Sequence, residues 1–427
     1  MNVLAYHDAM KIAVVGGGIA GLSAAYLLAP HADVTLYESG NRLGGHAHTA
    51  RVDFGGVTIS VDTGFMVFNP ARYPYFISLL RELSIPTVNT VMSFSVSIPG
   101  VVEYSSDIGG LFGNPRQLMQ PAYWRLLVDI LRFNRDAKQY LTRGESSQSL
   151  GEFLDAGSYS PWLAESYLFP MLGSIWSAPI RKLRDYSALE TFRFLDNHLL
   201  LNALNKPIWK TVSGGSVEYV SALSQLIERE GVQVKVAAPV VKISRSSEGV
   251  HIRTENGDAL FDKVVIATHA NTALSLLSDP TEEERTALSG FSYTDNVVVL
   301  HSDPSFMPHS RSAWASWNYH TARETNETIS LTYHMNALQN IPPEYPLFVT
   351  LNPRTLPRPE LLHGTYAYAH PVFDRSARES QQRIAALQSS HSIVYAGAHL
   401  GYGFHEDGVV SAVEAVKKLG VPVRLRP

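Results

Sequence analysis

The chain has 427 residues, of which 45% are hydrophobic and 17% charged, so it has ample apolar material for a packed interior and too few charges for disorder. Its formal net charge of −4 lacks the basic excess that phosphate backbones require, and we expect no nucleic acid partner. The absence of cysteine excludes disulfides, thiolate nucleophiles and cysteinyl attachment of a cofactor.

This length exceeds one ordinary core, and we expect two or three interleaved domains. Residues 1–9 (MNVLAYHDA) lack the basic start and apolar centre of a secretory signal. The sequence contains no run of about 18 apolar residues, which is the pattern that predicts a transmembrane helix. We therefore expect the protein in the cytoplasm, with contact to a membrane surface left open.

A βαβ unit is predicted at the start of the chain. Residues 11–15 (KIAVV) indicate a strand, a glycine turn follows, and residues 19–29 indicate a small apolar helix. Residues 33–37 (DVTLY) indicate a second strand that ends in Glu38, 22 residues after Gly16. A carboxylate about 20 residues after the first glycine is the usual partner of an adenosine ribose.

The glycines of this turn match a dinucleotide-binding fingerprint. Gly16 suits the tight turn, Gly18 the close approach of a pyrophosphate, and Gly21 the close packing of helix on strand. The N-terminus of the helix supplies a positive field for phosphate. The alternative is a purely structural glycine turn, but the strand, the helix and Glu38 together favour a dinucleotide site.

Two further loops favour FAD over NAD. Residues 42–45 (RLGG) place Arg42 and the backbone amides of Gly44 and Gly45 where a pyrophosphate could be neutralised. A strand predicted at 393–396 is followed by the last glycine loop and by a helix over 409–419. The N-terminus of that helix could stabilise the negative charge of a reduced flavin.

The middle of the chain predicts an inserted domain. Helical patterns follow residue 73, including 123–135 (YWRLLVDILRFNR), and the nucleotide domain returns at 211–227 and in strands at 232–236, 240–244 and 264–268. Strand patterns at 296–300 and 328–333 belong with the insert. The predicted parts of the FAD-binding domain are 1–75, 206–275 and 386–427, and those of the substrate domain are 76–205 and 276–385.

With these segments assembled, the chain resembles the flavin-containing amine oxidoreductase superfamily from about residue 11 to 419. Within it, the chain is similar to the FAD-binding domain fused to plant cyclopropane fatty acyl synthases and to bacterial flavoproteins of acyl-chain modification, including furan fatty acid formation. The motifs that carry the resemblance are GGH at 44–46, DTGFMVFN at 62–69, MSFSVS at 92–97, GSIWS at 173–177, NHLL at 197–200, WASWN at 314–318, FVTLNP at 348–353 and GYGFHEDG at 401–408.

The resemblance implies an α/β fold, a Rossmann-like FAD-binding domain with an inserted α+β substrate domain, and non-covalent FAD. The residues that it assigns to the cofactor are Gly16, Gly18, Gly21, Glu38, Arg42, Gly44 and Gly45 around the ADP part, Val240 or Val241 near the adenine, Gly64, Phe65, Gly408 and Val409 near the flavin ring, and Gly397 near the ribitol. One departure concerns the ribitol, because Ala398 stands where many relatives have an acid.

The chemistry-bearing candidates lie around the last glycine loop. His405, beside Glu406 and Asp407, is the candidate proton acceptor, although both acids also suit a helix cap. Aromatic side chains for an apolar pocket are Trp176, Trp317, Tyr333, Tyr402 and Phe404, most of which could equally be core. His46 and His48 lack a carboxylate partner and predict no metal site.

The helical segment 123–135 suggests two roles. Its arginines could meet lipid phosphate while Trp124, Leu127 and Leu131 face acyl chains, and the alternative is an ordinary packed amphipathic helix.

The leading functional interpretation is an FAD-dependent dehydrogenase or desaturase of a methyl-branched or unsaturated fatty acyl chain, free or in phospholipid. The alternatives are a flavin-dependent double-bond isomerase, an FAD-binding accessory subunit of an acyl-modifying methyltransferase, and an amine oxidase. The amine oxidase ranks below the others because the sequence offers no identifiable cluster of acids to bind an amine. The lysine that many amine oxidases place above flavin N5 also has no matching motif.

Overall fold

The computed structural model describes residues 10–144, 148–176, 180–202, 207–320, 330–388 and 392–427. The opening segment 1–9, Ser177 of the GSIWS motif and the predicted domain boundary between residues 205 and 206 lie outside the described residues.

A five-stranded parallel sheet forms the centre of the nucleotide-binding part. Its strands, in spatial order, are Ile393–Tyr395, Lys263–Ile266, Lys11–Val15, Asp33–Tyr37 and Gln233–Lys235. The central strand is fully buried at Ile12, Ala13 and Val14, because helices or a second sheet cover both faces. The sheet therefore takes its strands from three distant stretches of chain, and the βαβ unit of residues 11–38 forms as the sequence predicts.

Helices cover one face of this sheet, and a mixed layer covers the other. The helices of the first face are Ile19–Leu28, Pro74–Glu82, Val217–Arg229 and His405–Lys418. The second face packs against the helices Ala270–Leu276, Glu282–Ser289 and Arg375–Leu387 and against an antiparallel sheet of Val240–Ser246, Gly249–Thr254 and Gly257–Phe261.

This packing moves two of the expected domain borders. The helices Glu282–Ser289 and Arg375–Leu387 were assigned by position to the substrate domain, but Leu288 and Ile384 lie in the core beside the parallel sheet. The strand predicted at 240–244 forms as Val240–Ser246 and lies in the antiparallel sheet of this second face. The remaining borders stay predictions.

A seven-stranded mixed sheet forms the second part of the molecule. Its strands, in spatial order, are Leu362–Pro371, Tyr293–His301, Phe348–Leu351, Ser330–His334, Trp317–His320, Phe94–Ile98 and Val102–Ser105. Trp317–His320 and Phe94–Ile98 run parallel, and the other neighbours are antiparallel. Two of these strands, at residues 94 and 102, lie where the sequence predicted helices.

Helices at one edge of this sheet enclose a separate aromatic core that includes Phe133, Phe192 and Phe194. These helices are Pro121–Arg143, Leu150–Ala156, Pro161–Leu163, Phe169–Trp176, Ile180–Leu183 and Ala188–Asn197, with a π-helical turn at Ala164–Leu168. The longest of them extends well beyond the predicted 123–135. Two further short helices, Ile108–Phe112 and Pro115–Leu118, pack against the mixed-sheet core through Leu111 and Leu118. No helix in the described ranges is long and apolar enough to cross a membrane.

Short elements connect the two parts. Two-stranded ribbons pair Thr49–Asp53 with Thr58–Asp62 and Thr87–Thr90 with Trp209–Val212, and a short helix spans Met335–Leu338. Single 3₁₀ turns span Pro304–Phe306, Arg311–Ala313, Pro359–Leu361 and Ala398–Leu400. The return of the chain near residue 211 thus consists of a ribbon strand, Trp209–Val212, followed by the helix Val217–Arg229.

The first turn of the final helix joins distant segments. A Cβ added at Gly408 would lie 2.7 Å from the side chain of Ile19, so only glycine lets the last helix pack so close to the first. The Glu406 carboxylate accepts the backbone N–H groups of Tyr75 and Phe76 at 2.9 and 2.8 Å, and so caps the helix Pro74–Glu82. The Asp407 carboxylate accepts backbone N–H groups of the turn that precedes the final helix.

Candidate functional site

The first glycine loop adopts a geometry that needs glycine at two positions. Gly16 has φ +109° and passes so close to the backbone of Ala267 that an added Cβ would lie 2.7 Å from its carbonyl oxygen. An added Cβ at Gly21 would lie 1.8 Å from the Gly16 carbonyl oxygen. Both glycines therefore let the helix Ile19–Leu28 start directly at the edge of the sheet.

Gly18 opens onto free space. No atom lies within 4 Å of the position that its Cβ would take, and its φ of −74° is accessible to any residue. Gly18 is also the N-cap of the first helix, where no side chain accepts the free N–H groups and no acid occupies the first turn. An open, uncapped helix N-terminus fits the pyrophosphate of a dinucleotide.

The second glycine loop is bonded to the first. The Gly44 N–H donates to the Gly17 carbonyl at 2.8 Å, and an added Cβ at Gly45 would lie 3.1 Å from the Gly18 Cα. The Arg42 guanidinium donates to the carbonyls of Gly45 and Ala47, at 2.9 and 3.2 Å. Arg42 thus orders its own loop, and its contact with a pyrophosphate stays a prediction.

Glu38 connects the loops at the carboxyl edge of the sheet. Its carboxylate accepts the N–H groups of Gly17 and Gly40, at 2.7 and 2.6 Å. Its backbone carbonyl accepts the N–H of Ala238, which brings the start of the strand Val240–Ser246 alongside. Val240 is half-buried and Val241 is exposed. Their contact with an adenine stays a prediction.

The predicted flavin-side residues lie at the first turn of the final helix. Phe65 stacks on the His405 ring, with 3.7 Å between centroids and 8° between planes. Its backbone N–H donates to the His46 carbonyl, which a Cβ at Gly64 would approach to 2.1 Å. The Val409 side chain is fully buried in the core. The approach of Gly408 and Val409 to the flavin ring stays a prediction.

The last glycine loop follows the edge strand Ile393–Tyr395. The Gly397 N–H donates to Ser411 Oγ at 2.8 Å, which ties the loop to the final helix. Asp407 accepts the N–H groups of Tyr402 and Phe404, at 3.0 and 2.8 Å. Both acids of the HED triplet therefore serve as caps, which was the alternative for them in the sequence.

His405 is buried between aromatic rings. Its Nε2 lies 2.5 Å from the Tyr219 hydroxyl, and burial, with a smaller contribution from His46, lowers its pKa to about 3. A base of such low pKa is weak at neutral pH. Its catalytic role stays a prediction, and these surroundings favour a structural role.

A histidine cluster lies beside the glycine loops, and the sequence interpretation did not assign it. The His46 ring is 5.8 Å from the rings of His269 and His370 and 5.1 Å from that of Tyr368. Burial, strengthened by the neighbouring histidines, lowers the pKa of His46 to about 3 and of His370 to about 4. The signals available in the sequence were the position of His46 directly after Gly45 and that of His269 directly after the predicted strand at 264–268. In the described ranges, no group of three or more His, Asp or Glu could hold a metal ion.

The predicted pocket aromatics form two groups. Trp176 and Phe404 both contact Phe194, with ring centroids 4.8 and 5.6 Å away, and Tyr402 lies 6.0 Å from the same ring. Trp317 and Tyr333 face each other on adjacent strands, with centroids 5.1 Å apart. The structure therefore brings three of the five together and places two in the mixed sheet.

Comparison with known proteins identifies the family. The family model of flavin containing amine oxidoreductase matches residues 19–354, more than three quarters of the chain. The chain belongs to this family. It is a flavin-dependent oxidoreductase whose cofactor is FAD, and the open, uncapped start of the helix Ile19–Leu28 fits the cofactor's pyrophosphate.

Individual relatives are distant. The flavoprotein is 24% identical over 299 residues to coproporphyrinogen III oxidase of Staphylococcus aureus, and the match spans 60% of each chain. Among solved structures, it is similar in fold to putrescine oxidase with bound putrescine, at TM-score 0.67 and 15% identity over 96% of this chain and 99% of that one. A fatty acid isomerase of P. acnes that produces CLA gives TM-score 0.68 and 14% identity, over 96% and 98%. These structural likenesses show the fold alone.

Gly18→Val is expected to weaken FAD binding roughly 100-fold, or about 2.8 kcal/mol, because the branched side chain would fill the approach to the helix N-terminus. The free energy of unfolding of the apoprotein should change by less than about 1 kcal/mol, since the added atoms meet no protein. Titration of the apoprotein with FAD and urea unfolding measure the two effects. Gly21→Val is the matched contrast and should destabilise the fold by about 3 kcal/mol or more. Full flavin content in Gly18→Val would contradict this assignment.

The apoprotein should lose stability as the pH falls from about 6.5 towards 4. Burial lowers the pKa of seven histidines to about 3 or 4, so below pH 6.5 the unfolded chain takes up protons that the folded chain does not. Each can contribute up to about 1.4 kcal/mol per pH unit. Asp62, Glu406 and Asp407, with pKa raised to between about 6 and 7, oppose this, because their contribution is lost as the pH rises. The histidines outnumber them. Urea unfolding at several pH values measures the slope, and His46→Gln should reduce it.

His405→Asn and Tyr219→Phe should each destabilise the fold by about 1–3 kcal/mol, because each leaves a buried polar partner without its hydrogen bond. The double variant should cost about 1 kcal/mol less than the sum of the two. Flavin reduction by a substrate, followed at saturating FAD, should survive in both single variants. Normal stability together with loss of reduction in His405→Asn alone would instead identify His405 as the base.

Proposed function

We propose that this flavoprotein oxidises a fatty acyl chain that carries a methyl branch or a double bond, as a dehydrogenase or desaturase. The observation that carries the proposal is the aromatic wall, defined as the half-buried Tyr402 and Phe404 together with the buried Trp176 and Phe194 on which they pack. Tyr402 and Phe404 follow the edge strand Ile393–Tyr395, at the carboxyl edge of the parallel sheet. Ligands of open α/β sheets bind at this edge.

The charges around this wall favour an apolar substrate over an amine. Glu190 lies close enough to raise the pKa of Tyr402, after the larger effect of burial. Its carboxylate is paired with Arg193 at 2.9 Å and with Arg378 at 3.2 Å. An alkylammonium group would have to displace these guanidinium groups to gain a carboxylate partner. An acyl chain needs no such partner.

The wall can supply binding energy and exclude water. Each buried methylene contributes about 0.8 kcal/mol, so a short stretch of chain suffices to position the reacting carbon. Bound FAD supplies the two-electron acceptor. An unactivated saturated carbon is a poor hydride donor, and the substrate should therefore carry its branch or double bond near the reacting position.

Isomerisation of an acyl double bond is the second candidate. The fold likeness to the fatty acid isomerase of P. acnes supports it, because the same fold acts there on a fatty acid. The two reactions differ in product mass, which falls by two hydrogens in a desaturation and is unchanged in an isomerisation. An accessory role beside an acyl-modifying methyltransferase predicts FAD binding with no reaction of any lipid.

Anaerobic absorbance of the bound flavin tests the proposal. The panel contains methyl-branched and unsaturated fatty acids, their phospholipids, putrescine, cyclohexylamine and coproporphyrinogen. We expect bleaching by the acyl compounds and a product lighter by two hydrogens. Reduction by the amines or by the porphyrinogen alone would overturn the acyl assignment, and failure of every lipid would favour the accessory role.

Phe404→Ala tests whether the aromatic wall binds the substrate. The half-saturating concentration of the acyl compound should rise roughly tenfold, because the truncation removes apolar contact area. The control variant is Leu260→Ala, on the exposed side of the strand Gly257–Phe261, and it should behave as wild type. Equal kinetics in both variants would remove the wall from the binding site.

A further inference from the structure

The helix Pro121–Arg143 is apolar on two sides in its first half. One side, with Tyr123, Leu126 and Phe133, is buried in the protein core. The other side carries Trp124, Val128 and Leu131, spaced four and three residues apart, and all three are exposed. Leu127, which the sequence grouped with Trp124 and Leu131, is half-buried against the mixed-sheet core, and Val128 takes its place outside. An ordinary packed helix has a polar outer side here.

Two neighbouring short helices extend this exposed surface. Phe112 lies 6.2 Å from the Trp124 ring, and Trp124 Nε1 donates to the Leu118 carbonyl at 2.8 Å. Ile108 stands one turn before Phe112, and Met119 directly follows Leu118. The apolar face is defined as Ile108, Phe112, Met119, Trp124, Val128 and Leu131, whose side chains are between 46% and 83% exposed. Contiguous exposed apolar surface of this kind marks a site of interaction.

Basic side chains lie along the long helix beside the apolar face. Among them, Arg135 also pairs with Asp136 at 2.8 Å, and Lys138 Nζ donates to Asn202 Oδ1 at 2.6 Å. The exposed side of the long helix continues from Leu131 to Arg135 and Lys138. Arg125 and Arg132 share one buried partner, Asp129, at 3.1 and 3.4 Å. Residues 107–143 hold six Arg and Lys against three Asp, a local charge of +3 in a chain of net charge −4. Residues 107–143 thus carry a net positive charge, whereas the whole chain is net negative.

We propose that the apolar face docks on a bilayer that contains anionic lipids, with its apolar tips among the acyl chains and its basic residues at the phosphates. Trp at the boundary between apolar and charged groups, together with Lys and Arg, is the composition of interfacial membrane contacts. A second copy of this chain fits less well, because a symmetric contact would bring two like charges of +3 together. The docking does not depend on the substrate proposed above.

Sedimentation of the FAD-loaded protein with vesicles tests the docking. We expect binding to vesicles of phosphatidylethanolamine and phosphatidylglycerol and at least about tenfold weaker binding to vesicles of phosphatidylcholine alone. Added salt should weaken the former. Blue-shifted tryptophan emission on binding should be lost in Trp124→Phe, while its vesicle affinity changes little.

Two double variants separate the apolar and electrostatic contributions. Val128→Glu/Leu131→Glu should weaken vesicle binding roughly 100-fold, and Arg135→Gln/Lys138→Gln roughly tenfold. Val57→Glu/Ile208→Glu alters two comparably exposed apolar residues elsewhere and should bind as wild type. Thermal unfolding and flavin content, unchanged in all three, exclude misfolding.

Three outcomes would overturn the docking proposal. These are absence of vesicle binding by the wild type, equal loss in the Val57/Ile208 control, and a wild-type dimer in solution that Val128→Glu/Leu131→Glu converts to monomers. Vesicle binding without flavin reduction by any acyl compound would leave the docking intact and remove the acyl substrate alone.

Discussion

The packing of the last helix on the first, at Gly408 and Ile19, is the contact on which the cofactor region depends. With the two helices in this contact, Glu406 reaches the N-terminus of the helix Pro74–Glu82, and Asp407 fixes the turn at Tyr402 and Phe404. The first glycine loop, with Gly18, and the aromatic wall thereby lie at the same edge of the parallel sheet. A side chain at position 408 would come within 2.7 Å of the Ile19 side chain, so the contact between the two helices would have to shift.

The sequence predicted the elements that depend on local pattern. The first βαβ unit consists of three consecutive elements, Lys11–Val15, Ile19–Leu28 and Asp33–Tyr37. The steric requirements for glycine in its turn involve neighbouring residues, so a short stretch of sequence is enough to recognise them. The strands Phe94–Ile98 and Val102–Ser105 were missed although they form a local hairpin, because each has only four or five residues and alternation over so short a stretch is a weak signal. The helices at Glu282 and Arg375 were misplaced since their amphipathic pattern does not say which sheet they cover.

The candidate site likewise contains some residues that local sequence pattern reveals and others that only the fold reveals. The glycines of both loops were found because close backbone approach restricts the residue type. His405 looked catalytic by its position in a loop, but its partner Tyr219 is 186 residues away, and only the fold reveals that the pair is buried. The cluster of His46, His269 and His370 joins three distant segments in the same way. Long-range burial, and not motif, sets the chemistry of these imidazoles.

All ten residues of the first helix are buried, and part of their cover is the final helix. Ribosomes add about 5–20 residues per second, so roughly 20 to 80 seconds separate the synthesis of Ile19 from that of Gly408. Throughout that interval the helix has no complete partner, and its apolar surface must be shielded by other nascent segments or by a chaperone. We therefore expect a chain that is terminated anywhere before the final helix to leave part of the first helix uncovered.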